Sequence, residues 1–496
     1  MTCDSDLLDD APYAAALAEH ADTHALSFYV PGHGATPEGA GATLAAYFGE
    51  QMLRLDVPPL IDGIDVGADS PRDQAMRLAA EAWGAKRTWF LTNGSTQGNR
   101  TAALAVRGLG PDVVMQRSAH SSFVDGLILA GLTPGFIRPS IDSSLGIAHG
   151  VTPESVAEAI DAHPGTPTAV YVVSPSYFGA VADLPAIAEV VHARGAALVV
   201  DAAWGAHFGF HPALPESPLR QGADLCIMST HKLTTSLTQS ALLHLGHGEF
   251  AERLEPLVAR AHSMTASTSE SSLLLASLDL ARRDLARGDL HFDESVANAS
   301  AARRRLREHG RYPVVSDGFE RFADIVATDP FRIPIDVRAT GLDGHTVRNR
   351  LAREHRIQVE MATASTVVLV VGFGKSPSIE PLLDALDAMT VRGPAALRVV
   401  PSELPALPAA GELRLAPREA FFADAELVRA EDAEGRVAAA SLAAYPPGIP
   451  NVLPGEVVTA EVVEFLQAAA TAPGGYVRGA ADPAVATISV VREPGV

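Results

Sequence analysis

A lysine follows a short apolar run near the middle of the chain. Residues 223–228 predict a buried strand, and Ser229, Thr230, His231 and Lys232 come directly after it. An amine adds to a carbonyl only in its deprotonated form, and burial among apolar neighbours disfavours the ammonium form. Lys232 is therefore a candidate for a covalent bond to an aldehyde. The alternative for an isolated His-Lys pair is a solvated surface lysine.

A carboxylate occupies a similar position upstream. Residues 196–200 predict another short buried strand that ends at Asp201, and Ala202, Ala203 and Trp204 follow it. Pyridoxal 5'-phosphate (PLP) needs an acid and a lysine at the ends of neighbouring strands, because the acid protonates the pyridine nitrogen and the lysine holds the aldehyde. The two features together indicate a PLP site.

A third group of polar residues lies at the predicted start of a helix. Residues 87–92 are typical of a strand, and the turn 93–99 leads into the helix-like residues 100–106. A glycine such as Gly94 lets the backbone approach an anion, and free amides and hydroxyls at a helix start bind phosphate. Helix capping alone is the alternative. With the lysine and the acid, this turn predicts a phosphate-binding site for PLP.

These ordered motifs resemble the Orn/Lys/Arg decarboxylase family, fold type I PLP enzymes that remove the α-carboxylate of basic amino acids. The resemblance runs from about Pro31 to the C-terminus, and it implies the form of the family without an N-terminal wing domain. The motifs that carry it are Pro31-Gly32-His33, the turn 93–99, residues 117–122, residues 174–179, Asp201 with Ala203, residues 229–239, residues 445–450 and Pro454-Gly455-Glu456.

The resemblance implies a role for each matched site residue. Lys232 would hold PLP covalently, Asp201 would pair with the pyridinium nitrogen, and His120 would stack on the ring. Ala203 would pack against the other face of the ring. The phosphate would be bound by the turn that contains Gly94 and by Ser95, Thr96, Ser229 and His231. Two alternatives without a role in cofactor binding remain: a hydrogen-bonded core histidine at position 120, and a hydroxyl at a strand end at position 229.

The reaction implied is loss of CO2 from a basic amino acid, either arginine, lysine or ornithine. The catalytic residues would be Lys232, His120 and Asp201. Asp201 keeps the ring protonated so that it accepts electrons, and Lys232 or His120 returns a proton to Cα. For the distal cation of the substrate an acidic partner is expected, and Asp56 and Glu456 are candidates together with Glu419.

Several positions depart from the family's pattern. Ala202 and Trp204 lie where members often have the sequence Asp-Glu-Ala-His, and Gly34 stands where a lysine is common. Ala440 replaces a glutamate, and residues 267–270 lack a proline. These changes leave the expected cofactor site intact and concern the substrate pocket.

The predicted fold is α/β, of the fold type I PLP-dependent transferase type, with a mainly parallel sheet in the large domain and smaller α/β domains after it. Strand and helix patterns alternate over residues 87–247, helical patterns follow over 248–308, and short strands return from residue 333. Further predicted elements are helices at 344–354 and 379–388 and a strand at 367–371. The expected divisions are an N-terminal arm at 1–30, a PLP-binding large domain at 31–310, a small α/β domain at 311–400 and a C-terminal family module at 401–496.

The arm and the proposed linker have their own local signals. Residues 10–24 predict a short helix with Asp10 as its cap and Pro12 in its first turn. The proline-rich residues 401–408 are typical of a linker.

The composition excludes several classes of protein. The net charge of −21, from 38 basic and 59 acidic residues, argues against nucleic-acid binding and suits a cationic substrate. A membrane span needs about 20 consecutive apolar residues, and no apolar run in the sequence is that long. The first residues are acidic, where a secretory signal would be basic, so we expect a cytoplasmic protein. The two cysteines, Cys3 and Cys226, indicate neither a disulfide framework nor a metal site.

Three functions remain open from the sequence. The first is a basic amino-acid decarboxylase, a lyase of polyamine biosynthesis. The second is another PLP reaction on the same scaffold, such as transamination or oxidative deamination, and the third is a non-catalytic PLP-binding protein. A homodimer or higher homo-oligomer is expected, because active sites of this fold usually borrow residues from a partner, here Ser267 or Thr268.

Overall fold

The computed structural model of this chain describes residues 8–23, 28–288, 291–373, 378–390, 408, 410–445, 449–472 and 475–493. Several sequence predictions lie wholly or partly outside these ranges: Cys3, the linker at 401–408 apart from its last residue, and the middle of the turn at 445–450.

The helices are α1 (Pro12–Asp22), α2 (Ala42–Phe48), α3 (Glu50–Leu55), α4 (Pro71–Trp83), α5 (Gly94–Val106), α6 (Ser121–Ala130), α7 (Pro153–Asp161), α8 (Leu184–His192), α9 (Thr230–Leu233), α10 (Ala251–Thr265), α11 (Ser272–Arg287), α12 (Phe292–His309), α13 (Gly344–Glu354), α14 (Glu380–Met389), α15 (Pro417–Phe422) and α16 (Ala460–Thr471).

The strands are β1 (Arg87–Leu91), β2 (Asp112–Gln116), β3 (Thr133–Ile137), β4 (Ile141–Asp142), β5 (Ile147–Ala148), β6 (Ala169–Val173), β7 (Ala180–Val181), β8 (Ala197–Asp201), β9 (Leu225–Met228), β10 (Ala241–Leu245), β11 (Ala327–Thr328), β12 (Arg332–Asp336), β13 (Met361–Ala362), β14 (Thr366–Val370), β15 (Ala425–Arg429), β16 (Leu442–Tyr445), β17 (Pro450–Val452), β18 (Tyr476–Arg478) and β19 (Thr487–Val491).

The largest sheet has seven strands in the order β1-β10-β9-β8-β6-β2-β3. β2 pairs in parallel with β3 and with β6, whereas β10 is antiparallel to both of its neighbours. Every residue of β6, β8, β9 and β10 is buried, as expected for strands that are covered on both faces. The predicted α/β fold with a mainly parallel sheet is confirmed.

The chain forms two compact units. The first lies within Met1–Ala105 and Val200–Phe292, and the second within Val106–Val199 and Asp293–Val496. The domain limits predicted at residues 31, 311 and 401 stay a prediction. No helix in the described part of the chain combines the length and the apolar character that a bilayer crossing requires.

In the first unit, α1 contacts α11, and the contact corrects the predicted helix cap. Asp10 is not the cap, since Ala11 precedes the helix and makes no side-chain capping bond. The carboxylate of Asp279 instead accepts the backbone N–H groups of Tyr13, at 2.9 Å, and Ala14, at 3.3 Å. The carboxylate of Asp10 accepts from Nη2 of Arg287 at 2.7 Å, so it is engaged there and does not cap the helix.

The second unit contains two smaller assemblies besides its strands of the large sheet. The sheet β12-β14-β13 is accompanied by α13 and α14, which confirms the elements predicted at 344–354, 367–371 and 379–388 within one or two residues. Near the C-terminus, β15 pairs with β19, and β16 pairs with both β17 and β18. The core of this region includes Leu442, Val452, Val462, Leu466, Val477, Ile488 and Val490.

Candidate active site

Lys232 lies one turn beyond a buried strand of the first unit. All four residues of β9 are buried, Ser229 follows, and Lys232 is on the short helix α9, where its side chain is half-buried. The sequence predicted this position correctly. A lysine here is partly shielded from water and stays accessible to a small molecule.

Asp201 is the last residue of β8, and its carboxylate is oriented on both oxygens. Its side chain is buried, Asn99 donates to Oδ2 from Nδ2 at 3.0 Å, and the backbone N–H of Ala203 donates to Oδ1 at 3.0 Å. The predicted turn at 93–99 is mostly helical, because α5 begins at Gly94 and not at residue 100, and Asn99 lies in its second turn. This segment supplies a residue that the sequence analysis missed, because it assigned the segment to phosphate binding alone. Ala203 itself is half-buried beside the carboxylate.

Trp204 contacts the candidate lysine. The Nζ atom of Lys232 lies 4.1 Å from the centroid of the indole ring, and Trp204 is buried. An aromatic face attracts an ammonium ion, so this contact favours the charged form that burial disfavours. The sequence marked Trp204 only as a departure from the family's pattern and assigned it no role.

Two of the predicted phosphate-binding hydroxyls lie together. The Oγ atoms of Ser95 and Ser229 are 2.6 Å apart, although 134 positions separate the residues. Gly98 permits this approach of α5 to β9, because a Cβ atom at Gly98 would lie 2.7 Å from Cγ2 of Ile227. The pair therefore joins the start of α5 to the end of β9.

The other predicted phosphate ligands have different surroundings. Gly94 begins α5 with a φ of +67°, and its N–H donates to the carbonyl of Gln239 at 2.7 Å, so this amide is already engaged. Thr96 is half-buried in the first turn of α5, where backbone N–H groups lack partners within the helix. Nδ1 of His231 lies 2.8 Å from the carbonyl of Ser240. A carbonyl only accepts, so Nδ1 carries a proton, and a proton on Nε2 as well would let the ring donate to an anion.

The residues of the first unit fit PLP in the chemistry of their side chains. A buried, oriented carboxylate at Asp201 suits a pyridinium nitrogen, the hydroxyls of Ser95 and Ser229 at the N-terminus of α5 suit a phosphate, and Lys232 supplies the amine. When bound, PLP supplies an electron sink for the pair of electrons released from Cα.

His120 lies in the second unit, where it is the N-cap of α6. Its Nδ1 accepts the backbone N–H of Ser122 at 3.2 Å and lies 2.8 Å from the Oγ of the same serine. Because Nδ1 accepts, the neutral ring carries its proton on Nε2. The predicted stacking of His120 on the cofactor stays a prediction.

The three acidic candidates for the distal cation of the substrate have other contacts. Asp56 is 3.3 Å from Nε2 of His33, and Glu419 accepts the N–H of Ala416 at the start of α15 at 3.4 Å. Glu456 is buried and forms a two-point ion pair with Arg117, so its carboxylate is engaged inside the protein. Burial raises the pKa of the Glu456 carboxyl, and Arg117 opposes that rise.

Comparison with known proteins identifies the family. The family model described as Orn/Lys/Arg decarboxylase, major domain, matches residues 11–378, and that of the C-terminal domain of the same family matches residues 408–474. The chain is 34% identical to the arginine decarboxylase of Bacillus subtilis (strain 168) over 500 residues, which cover 98% of each chain. It is likewise 34% identical to the arginine decarboxylase of Halalkalibacterium halodurans over 502 residues, again with 98% of each chain covered.

Solved structures agree in fold. The constitutive lysine decarboxylase of E. coli superposes with a TM-score of 0.79 at 21% identity, covering 98% of this chain and 83% of that one. Lysine decarboxylase A from Pseudomonas aeruginosa gives a TM-score of 0.79 at 22% identity, covering 97% of this chain and 80% of that one. The chain belongs to the Orn/Lys/Arg decarboxylase family and is a PLP-dependent decarboxylase of basic amino acids.

Proposed function

We propose that this chain acts on arginine and releases agmatine and CO2. The observation that carries the proposal is the end-to-end match to curated relatives named arginine decarboxylase, at 32–34% identity over 98% of this chain. The lysine decarboxylases among the solved structures are 19–22% identical, which supports a common fold but not a common substrate. Lysine is the second candidate substrate.

In this proposal the residues of the first unit bind PLP. Lys232 holds the cofactor, and Asp201, oriented by Asn99 and the N–H of Ala203, keeps the ring nitrogen protonated. The phosphate lies at the start of α5, where Ser95, Thr96 and Gly94 surround it together with Ser229 and His231. His120 stacks on the ring, and Ala203 packs on its other face.

The proton balance of the reaction involves two of these side chains. The bond from Cα to the carboxylate breaks, CO2 leaves, and one proton replaces it on Cα. Lys232 or His120 donates this proton. The tautomer of His120 supports a donor role for Nε2, because Nδ1 is occupied by the N–H of Ser122.

We also propose that the chain works as a homodimer or a higher homo-oligomer. Large apolar side chains are exposed in the first unit, and they are most exposed at Phe28 (92%), Leu60 (82%) and Tyr47 (81%). Helix α2 has no buried residue at all. Large apolar side chains are common at protein interfaces, and we assign these to contact with a second copy of the chain. Ser267 or Thr268 would then complete the partner's active site.

The remaining expectations belong to the same proposal. A cytoplasmic location is supported by the buried free thiol of Cys226, which suits a reducing compartment. A role in polyamine formation follows from agmatine as the product. We keep the division into an arm at 1–30, a large domain at 31–310, a small domain at 311–400 and a C-terminal module at 401–496. The interval between the family matches at 11–378 and 408–474 supports its last boundary, near residue 401.

The test is a product assay with each substrate separately. PLP-loaded protein is incubated with arginine, lysine or ornithine, and mass spectrometry measures agmatine, cadaverine or putrescine against released CO2. We expect agmatine and CO2 in equal amounts, and no product from Lys232→Ala. Cadaverine or putrescine as the main product would overturn the assignment of arginine. A keto acid or consumption of oxygen would overturn decarboxylation itself.

A further inference from the structure

The orientation of His120 depends on the first turn of α6. His120 is the cap of this helix, and its ring nitrogen accepts the N–H of Ser122, so the ring is fixed relative to the helix start. A displacement of this segment therefore displaces the ring. The structure shows two groups of contacts that hold the segment, one on each side of His120, and both come from the C-terminal part of the second unit.

The first group of contacts is made by Arg117, three residues before His120. Its Nε lies 3.1 Å from Oε1 of Glu456 and its Nη2 lies 2.8 Å from Oε2, which is the two-point geometry of a strong ion pair. The same guanidinium donates to the carbonyls of Pro450, at 2.5 Å, and Asn451, at 3.2 Å. Four acceptors in the C-terminal sequence thus hold one side chain.

Glu456 is itself held in place. Its Oε2 accepts the backbone N–H of Leu453 at 2.9 Å, and the side chain is 1% exposed. Burial raises its pKa, as described above, and the guanidinium of Arg117 opposes that rise. The pair is a rigid connection between the turn at 453–456 and the end of β2.

The second group of contacts is made by Arg478, at the end of β18. Its Nη1 donates to Oγ of Ser121 at 2.6 Å, and Nη2 lies 3.8 Å from the carboxylate of Asp125. Ser121 is the first residue of α6 and the neighbour of His120. Arg117 thus holds the chain before His120, and Arg478 holds the residue that follows His120.

We propose that Glu456, through Arg117, and Arg478, through Ser121, are positioning residues that set the orientation of His120 toward the cofactor. The inference rests on the proposed role of His120. It assigns to the C-terminal family module a task in the cofactor site, although the module contributes none of the predicted PLP ligands. It also explains why Glu456 is unsuited to bind the distal cation of a substrate.

The test compares Glu456→Gln and Arg478→Met with the surface variants Glu431→Gln and Arg429→Met, which alter an exposed ion pair of the same module. The readouts are the dissociation constant of PLP and the absorption spectrum of bound PLP. We expect PLP to bind about tenfold more weakly in each positioning variant, because each loses a hydrogen bond to a charged group, with a shifted absorption band and with the controls unchanged. Arg478→Lys should restore most of the affinity, since lysine keeps a donor for Ser121.

Unchanged PLP affinity and spectrum in both Glu456→Gln and Arg478→Met would overturn the inference. If Glu456→Gln does not fold, Arg478→Met decides, because its side chain is 45% exposed and its loss leaves no buried charge. His120→Gln separates this inference from the proposed function. If that variant binds PLP as the wild type does, the role of His120 and the inference fall together, whereas a wild type that makes no agmatine overturns the proposed function alone.

Discussion

The Nζ atom of Lys232 lies 4.1 Å from the centroid of the Trp204 ring. Trp204 follows the strand β8 that ends at Asp201, and Lys232 follows the strand β9, so the contact joins the two strand ends that carry the acid and the amine. The indole ring is apolar and also attracts a cation. It therefore restricts water around the lysine and still holds the ammonium in one position.

Removal of the Trp204 ring should speed the reaction of Lys232 with PLP. For Trp204→Leu we expect a loss of about 1 kcal/mol of cation–π attraction to the ammonium form, which does not add to an aldehyde, and with it a rate of PLP attachment about fivefold higher. Trp204→Phe should retain part of the effect. The measurement is the rate at which borohydride-stable PLP appears on the protein. Trp89→Phe is the matched control, because Trp89 is a buried tryptophan that contacts a different cation, Arg87, at 4.9 Å. An equal change of rate in that variant, or a slower attachment in Trp204→Leu, would contradict the effect assigned to Trp204.

Lys232→Ala should abolish both covalent attachment of PLP and turnover. The nucleophile is lost, and we expect activity to fall by more than about 1,000-fold. Peptide mapping after borohydride treatment of the wild type should find the label on Lys232. The control is Lys86→Ala, which removes a lysine that is paired with Glu252. A label on another lysine would contradict the assignment.

Asn99→Ala should lower kcat with little change in KM for arginine. The carboxylate of Asp201 loses the donor that orients Oδ2, and we expect a reduction of about tenfold. Asn93→Ala is the control, because Asn93 directly precedes α5 and accepts from Gln239. Equal effects in the two variants would indicate that Asn99 acts only by stabilising the start of α5.

Polar substitutions in the exposed apolar segment should dissociate the oligomer. We expect Phe28→Ser with Tyr47→Ser to shift the protein toward monomer in sedimentation velocity, because both side chains are exposed in the isolated chain. Phe422→Ser, also at an exposed apolar position but in the second unit, is the control. An active monomeric wild type would refute the proposed assembly.

The free energy of unfolding should decrease as the pH falls below 6.5, partly because of His244. Burial lowers the pKa of this ring from 6.5 to about 3, and Thr88 contacts its Nδ1 at 2.7 Å. Between pH 6.5 and pH 3 the His244 ring takes up a proton in the unfolded chain but not in the folded chain. The free energy of unfolding is therefore not reduced by this group above pH 6.5, and it decreases as the pH falls from 6.5 toward 3. The loss is about 1.4 kcal/mol per pH unit from this group.

Urea denaturation at several pH values checks this prediction. His244→Gln has no proton to gain at this position, so its free energy of unfolding should decline less steeply between pH 6.5 and pH 4.5 than that of the wild type. Parallel slopes for the two proteins would show that His244 contributes nothing to the pH dependence.

The sequence was sufficient where a function depends on local order along the chain. Lys232 and Asp201 were placed correctly at strand ends, because an apolar run followed by a polar residue is a local pattern. The fold class followed from the alternation of such runs. The mainly parallel sheet and the elements of the second unit agree with those predictions.

The sequence was insufficient where a partner lies far away in the chain. Asn99 reaches Asp201 across 102 positions, and Asp279 caps α1 across more than 260 positions, so neither contact leaves a local signal. The error at Asp10 has the same origin, because Arg287 takes its carboxylate. Trp204 was noticed as a departure, but only the structure shows that its ring faces Lys232.

The pair of Arg117 and Glu456 also has a consequence for the synthesis of the protein. The two residues are 339 positions apart, so a ribosome that adds about 5–20 residues per second makes the glutamate roughly 20–70 s after the arginine. During this interval the segment before His120 is present on the nascent chain without its anchor. The segment therefore acquires its final contacts only after Glu456 has been made, when the strands of the large sheet have long been synthesised.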